Sequence, residues 1–201
     1  MDYKKYQKSR DLSWQILLDH DITRLPVKVS GICKVLHFNV VSYAKGVELF
    51  TRLDLQNNAN NSDGFTFQNI IFYNDQCSIP RQRFTIAHEL GHILLHGGNG
   101  LYNREPSESD NPIEQEANIF ASRLLAPACV LWGLGVTSAQ QISELCNISL
   151  QSAEFRMKRM NELYEREQRF LNMYNKSCFL ISELERKVYR QFSEYIQQNH
   201  L

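Results

Sequence analysis

The sequence predicts an α+β fold, mainly helical, with one small β-hairpin. Three observations carry this prediction. Residues 84–96 and 113–125 set apolar side chains at helical spacing. GFTFQNIIFYND, at 64–75, holds two apolar-aromatic runs split by Gln68-Asn69. The last forty residues are charged and helix-prone.

In chain order, residues 11–37 suggest two helices. Trp14, Leu17 and Leu18 form a stripe, and Pro26 suits a first helical turn before Val29, Ile32, Cys33 and Leu36. FNVVSY, at 38–43, reads as a short strand, and the polar run at 56–64 as a loop. FTF and IIFY then form the hairpin. Ser78 is placed to cap the next helix, Pro80 is tolerated in its first turn, and Gly97-Gly98 end it. A polar loop over 99–112 leads to the helix IEQEANIFASRLL, closed by Pro127. Ala117, Phe120, Ala121 and Leu124 mark its buried face. Residues 138–160 read as helix, short turn, helix. Leu184, Val188, Phe192 and Tyr195, with Ile181, form a final stripe, read as a helix docked on its own domain.

Composition narrows the function classes. Hydrophobic residues make up 43% of the 201, enough for a packed core. Lys plus Arg equals Asp plus Glu at 22 each, which argues against a large basic face for nucleic acid. The helix at 149–160 sets Arg156, Lys158 and Arg159 against Glu154, but from 137 to 170 five basic residues meet five acidic ones, so packing or substrate recognition is favoured over direct DNA binding. The five cysteines are widely spaced with no C-x-x-C, as in a reducing compartment. The N-terminal residues hold no apolar signal core, and the longest uncharged apolar run, 124–136, is too short to span a bilayer. A cytoplasmic protein with no membrane partner is expected.

The chemistry concentrates in FTIAHELGHILLH. His88-Glu89-Leu90-Gly91-His92 places two imidazoles four residues apart on one helix face, about 6 Å apart along the axis. Both can reach one ion at roughly 2.0–2.1 Å. Without a metal, two histidines flanking a carboxylate in so apolar a helix would be hard to satisfy. Glu89 can approach a water at that ion from the side, the position of a general base. A catalytic site needs a third ligand. His96 lies about 12 Å along the axis from His88, too far to share the ion, and is expected to pack or hydrogen-bond beside the site. Glu114 lies three before Ala117 and seven before Ala121, on the buried stripe, and is the expected third ligand. Glu116 is rotated to the edge and reads as a solvated charge. Asn118, four after Glu114, is placed to hydrogen-bond a ligand histidine.

RFTIAHELGHILLH followed by IEQEANIFASRLLAP resembles the ImmA/IrrE family of zinc metallopeptidases. The family pattern E-x-x-A-N/D-x-F-A-x-x-L-L-x-P is matched by Glu114, Ala117, Asn118, Phe120, Ala121, Leu124, Leu125 and Pro127, with Ala126 where methionine is common. The resemblance covers roughly 10–160. The tail beyond 160 lies outside it. A zincin-like metallopeptidase domain over 1–136 and a helical appendage over 137–201, made of the helix-turn-helix-like unit 138–160 and C-terminal helices, are expected. The resemblance implies Zn²⁺, with Mn²⁺ as a substitute, held by His88, His92 and Glu114 in a gluzincin-like arrangement with Glu89 as base. It also implies a cytosolic endopeptidase that cleaves a helix-turn-helix repressor in mobile-element or stress regulation. The rival readings are a metal-binding transcriptional regulator and a pseudoenzyme that binds a repressor without cutting it. Tyr102 and Arg104 could supply a second electrophile, and neither is assigned.

Overall fold

The computed structural model describes residues 6–97, 111–177, 179–180 and 182–201. Tyr102, Arg104, Ile181 and most of the 99–112 segment lie outside the described residues. The architecture is the predicted α+β one, mainly helical with a three-stranded sheet. The chain forms two compact units, residues 1–9 with 28–121 and residues 10–27 with 122–201. Among the described residues no helix is long and apolar enough to cross a membrane.

The first unit is built on strands β1 (Asn39–Ser42), β2 (Gly64–Phe67) and β3 (Ile70–Tyr73). Their order is β1-β3-β2, with β1 parallel and β2 antiparallel to β3. Gln68, at φ 53°, makes the tight turn that closes the β2–β3 hairpin. Phe65 and Phe72 sit opposite one another in the register, with ring centroids 5.0 Å apart. Phe50 completes this cluster at 5.8 Å from Phe65 and 5.0 Å from Phe72, and Leu55 closes it. Each such ring contributes about 1.5–3 kcal/mol on burial. The cluster packs one face of the sheet against Leu49, Phe50 and Ala59.

Three local expectations need correcting. The strand at 38–43 stops at Ser42, whose hydroxyl accepts from Lys45 N and starts helix α3 (Tyr43–Leu53), after helices α1 (Gln7–Asp19) and α2 (Val29–Val35). The expected loop at 56–64 begins with a short helix, α4 (Gln56–Asn61), because Leu55 is buried and its carbonyl accepts from Ala59 N. A tertiary anchor thus outweighs an asparagine-rich sequence. Pro26 precedes α2 rather than entering its first turn.

Helix α5 (Ile79–His96) carries the histidine motif and ends at Gly97, which has φ 80°. Ser78 stands at its N-cap, but its side chain makes no capping bond. Gln82 holds the entry instead, donating to the carbonyls of Cys77 at 2.7 Å and Asp75 at 3.2 Å. Helix α6 (Pro112–Leu125) follows, its first ten residues within the first unit.

The second unit is helical: α7 (Ala128–Gly133), α8 (Ala139–Cys146), α9 (Leu150–Tyr174), α10 (Glu183–Gln191) and α11 (Ser193–Asn199). Ser138 caps α8 in a reciprocal capping box with Gln141, and Asn147 ends it in the left-handed region. The second helix of this pair runs to Tyr174, well beyond 160, because no glycine or proline interrupts 161–174 and only Asn175, at φ 49°, turns the chain. Val188 and Phe192 are fully buried, and Trp132 stacks on Phe179 with centroids 4.8 Å apart. The C-terminal stripe therefore forms core. Leu201 N closes the unit by donating to Leu134 O.

Candidate metal centre

Close approach of α5 and α6 builds this site. Gly91 lies between the two motif histidines in sequence, and Ala117 lies between Glu114 and Asn118. A Cβ on Gly91 would stand 2.9 Å from Phe120 Cδ1 and 3.3 Å from Ala117 Cα. Two small residues at the crossing let the helices meet almost backbone to backbone, so the longer side chains on either side reach across the seam.

They reach one point. His88 Nε2 is 3.2 Å from Glu114 Oε2, and His92 Nε2 is 3.1 Å from Glu114 Oε1. The two imidazole Nε2 atoms stand 2.9 Å apart. Among the described residues, His88, His92 and Glu114 form the group whose donor atoms lie within 4.8 Å of one another and could hold a metal ion. Two nitrogens on one tetrahedral ion stand about 3.3 Å apart, so the spacing needs only a few tenths of an ångström of adjustment. Two imidazole nitrogens and one carboxylate are a donor set suited to a first-row divalent metal, and the fit is good.

The surroundings fix the ligand atoms. His88 Nδ1 lies 2.9 Å from Asn118 Oδ1. An amide oxygen only accepts, so Nδ1 donates to it and Nε2 is the atom turned to the centre, the one whose lone pair a metal would take. Hydrogen bonds from His88 and His92 hold the Glu114 carboxyl well below the usual carboxylate range, and outweigh burial, which acts in the opposite direction. Glu114 is thus a ready anion.

Glu89 is 5% exposed, as deeply buried as the histidines, yet is not part of their group. Its Oε2 accepts from Thr66 Oγ1 at 3.1 Å. Thr66 is absent from the sequence-level candidates. Strand alternation could have placed it on the face opposite Phe65 and Phe67, but nothing local says that this face meets α5.

His96 and Glu116 pair apart from the centre, with His96 Nε2 3.5 Å from Glu116 Oε2. Burial pushes the His96 imidazole down against the upward pull of the Glu116 carboxylate. Glu116 therefore faces a histidine and is more than a solvated charge, while neither residue joins the group at His88.

The comparisons with known proteins bear on the family of the chain. A family model described as the IrrE N-terminal-like domain matches residues 45–158, more than half of the chain, and takes in both site helices. Among curated proteins, the chain is 35% identical over 68 residues to the radiation response metalloprotease IrrE of Deinococcus radiodurans. That match takes in 31% of this chain and 21% of the relative, so the chain spans about a fifth of the length of the curated relative it matches. With a family model covering both site helices and a centre of two histidines and a glutamate where it matches, the chain belongs to the IrrE N-terminal-like family of metallopeptidases.

Proposed function

We propose that the protein is a zinc-dependent endopeptidase of the cytoplasm whose substrate is a helix-turn-helix transcriptional repressor. The observation that carries the enzymatic part is the convergence of His88, His92 and Glu114, with a further polar residue, Glu89, buried on the helix of the two histidines. A purely structural metal site has no use for that fourth group, and burying a carboxylate is costly without a compensating role. The zinc assignment rests on the donor set, which manganese can also occupy.

A zinc ion bound there would supply a Lewis acid that polarises the scissile carbonyl and makes water nucleophilic near neutral pH. The protein does the rest. His88, His92 and Glu114 hold the ion, and Asn118 keeps His88 in the tautomer that can bind it. Glu89 takes up the proton of the attacking water and delivers it to the leaving amine. Burial of His88, Glu89 and His92 limits competing water and strengthens their electrostatic effect.

The sheet supports an extended substrate. β2 is an edge strand, and among the described residues it pairs only with β3. A substrate segment can add along its outer edge, as extended peptides do on other sheets. The choice of a helix-turn-helix repressor rests on the family resemblance. The name of the curated relative, a radiation response metalloprotease, is consistent with hydrolysis in a stress setting. In this reading α8 and α9, together with the C-terminal helices, contribute to recognition of the folded repressor while a linker of that repressor enters the site.

The test is incubation of the purified protein and zinc with a helix-turn-helix repressor encoded beside it, read by intact mass. One discrete cut, absent with Glu89→Gln, is the expected result. Stable binding without a cut under zinc or manganese would replace this reading with that of a repressor-binding pseudoenzyme.

A further inference from the structure

β2 and α5 pass one another in matched steps. A strand advances about 6.6 Å over two residues and a helix about 6 Å over four. Gly64 stands against Thr85, and Thr66, two residues on, stands against Glu89, four residues on. At the first contact a Cβ on Gly64 would lie 2.2 Å from Thr85 Cγ2 and 2.8 Å from the Phe72 carbonyl oxygen. Only a glycine lets the strand come so near the helix. At the second contact Thr66 Oγ1 donates to Glu89 Oε2, with both residues more than nine-tenths buried.

The opposite face of the strand locks this arrangement. Phe65 is held in the aromatic cluster with Phe50 and Phe72. A slip of one residue would send Phe65 towards the polar helix and Thr66 into the aromatic core. The strand therefore presents the Thr66 hydroxyl to α5 at one fixed height, that of Glu89.

We propose that Thr66 is a positioning residue for Glu89: its hydroxyl fixes the carboxylate orientation, and the Gly64–Thr85 contact sets the strand height at which it can do so. This rests on the reading of Glu89 as the base. A glutamate side chain has several rotatable bonds, and a base must be held close to its productive geometry to be effective. Because β2 is also the strand along which a substrate would add, the same element orders both the base and the substrate backbone.

A merely structural hydrogen bond would stabilise the fold without affecting how Glu89 meets a ligand at the metal. The two roles separate in the cobalt(II)-loaded full chain titrated with acetohydroxamic acid, a metal-binding group that a correctly aimed Glu89 can hydrogen-bond. Binding is followed by the visible absorption of cobalt. Thr66→Val keeps the shape and removes the donor, and Thr66→Ser keeps the donor. Both should load cobalt as the wild type does. Thr66→Val should bind hydroxamate about tenfold more weakly and Thr66→Ser within about twofold of wild type, the upper end of the loss expected when one buried hydrogen bond is no longer aimed. If Thr66→Val does not fold, Thr66→Ala takes its place against Thr66→Ser. Wild-type hydroxamate affinity in the donor-less variant, or equal weakening in both variants, overturns the proposal while leaving the metal site intact. A wild-type protein that takes up no cobalt, or whose cobalt ignores hydroxamate, removes the reading of the site and this inference with it.

Discussion

His88 on α5 and Arg156 on α9 are equally buried, each 4% exposed, yet their surroundings differ completely. His88 meets Asn118, Glu114 and His92, and the neighbouring Glu89 meets Thr66. Arg156 Nε and Nη2 find no hydrogen-bond partner among the described residues. Burial pushes its guanidinium down to about 9, and Arg123 and Arg159 add to the effect. The Cys129 thiol nearby offers no countercharge near neutral pH, since burial pushes it up to about 12. Burial of a polar group is therefore not in itself a mark of function. At α5 the polar groups find partners: His88 and His92 meet Glu114 of α6, and Glu89 meets Thr66 of β2. On α9 the Arg156 charge is buried beside Arg123, Arg159 and two thiols, and the expected consequence is lost stability.

Four predictions sharpen this contrast. The largest effect is expected at the third ligand. Glu114→Ala should weaken metal binding by more than about a hundredfold in chelator competition, beyond what loss of a supporting hydrogen bond does, whereas Glu116→Ala should leave it unchanged. The reverse pattern would mean that the other face of α6 looks into the site. Asn118→Ala comes next, with metal affinity lowered roughly 10–100-fold, because His88 loses the acceptor that holds its Nδ1 proton. Affinity equal to wild type would show that the amide plays no part.

On α9 the expected sign is opposite. Arg156→Met should raise the unfolding free energy by about 1–4 kcal/mol, as replacing buried charge with apolar volume does elsewhere. A fall in stability, measured by urea unfolding, would show that the guanidinium has a stabilising role. The smallest effect is on the acid limb of stability in the metal-free protein. The folded-state carboxyl of Glu114 is depressed, so its contribution is present above the unfolded value of roughly 4.3 and is lost as pH falls below it towards the folded value. Glu114→Gln should flatten that limb, and an unchanged pH profile would rule the contribution out.

The contrast also marks what was legible in the sequence. Local periodicity sets which side chains share a helix face, so the i, i+4 spacing of His88 and His92 and the i, i+3, i+7 relation of Glu114 to Ala117 and Ala121 could be read directly. These residues lie on the facing sides of α5 and α6. The hairpin was legible for the same reason, through its apolar runs and the turn between them. Thr66 and Gly64 were not singled out, and Arg156 was read only as part of a local positive patch. Each matters through what another element brings against it: Thr85 and Glu89 against β2, Arg123 and two thiols against α9. Helix α4 was hidden too, because its asparagines argue for a loop and only the buried Leu55 argues otherwise.

The central claim is that His88, His92 and Glu114 hold one metal ion. X-ray absorption on the zinc-loaded chain tests it most directly. The account predicts one equivalent of zinc with a nitrogen and oxygen shell at about 2.0–2.1 Å, two imidazoles in its outer-shell scattering, and loss of that signal in Glu114→Ala. A sulfur shell near 2.3 Å, which would place zinc on cysteines instead, or no stoichiometric zinc, would contradict it.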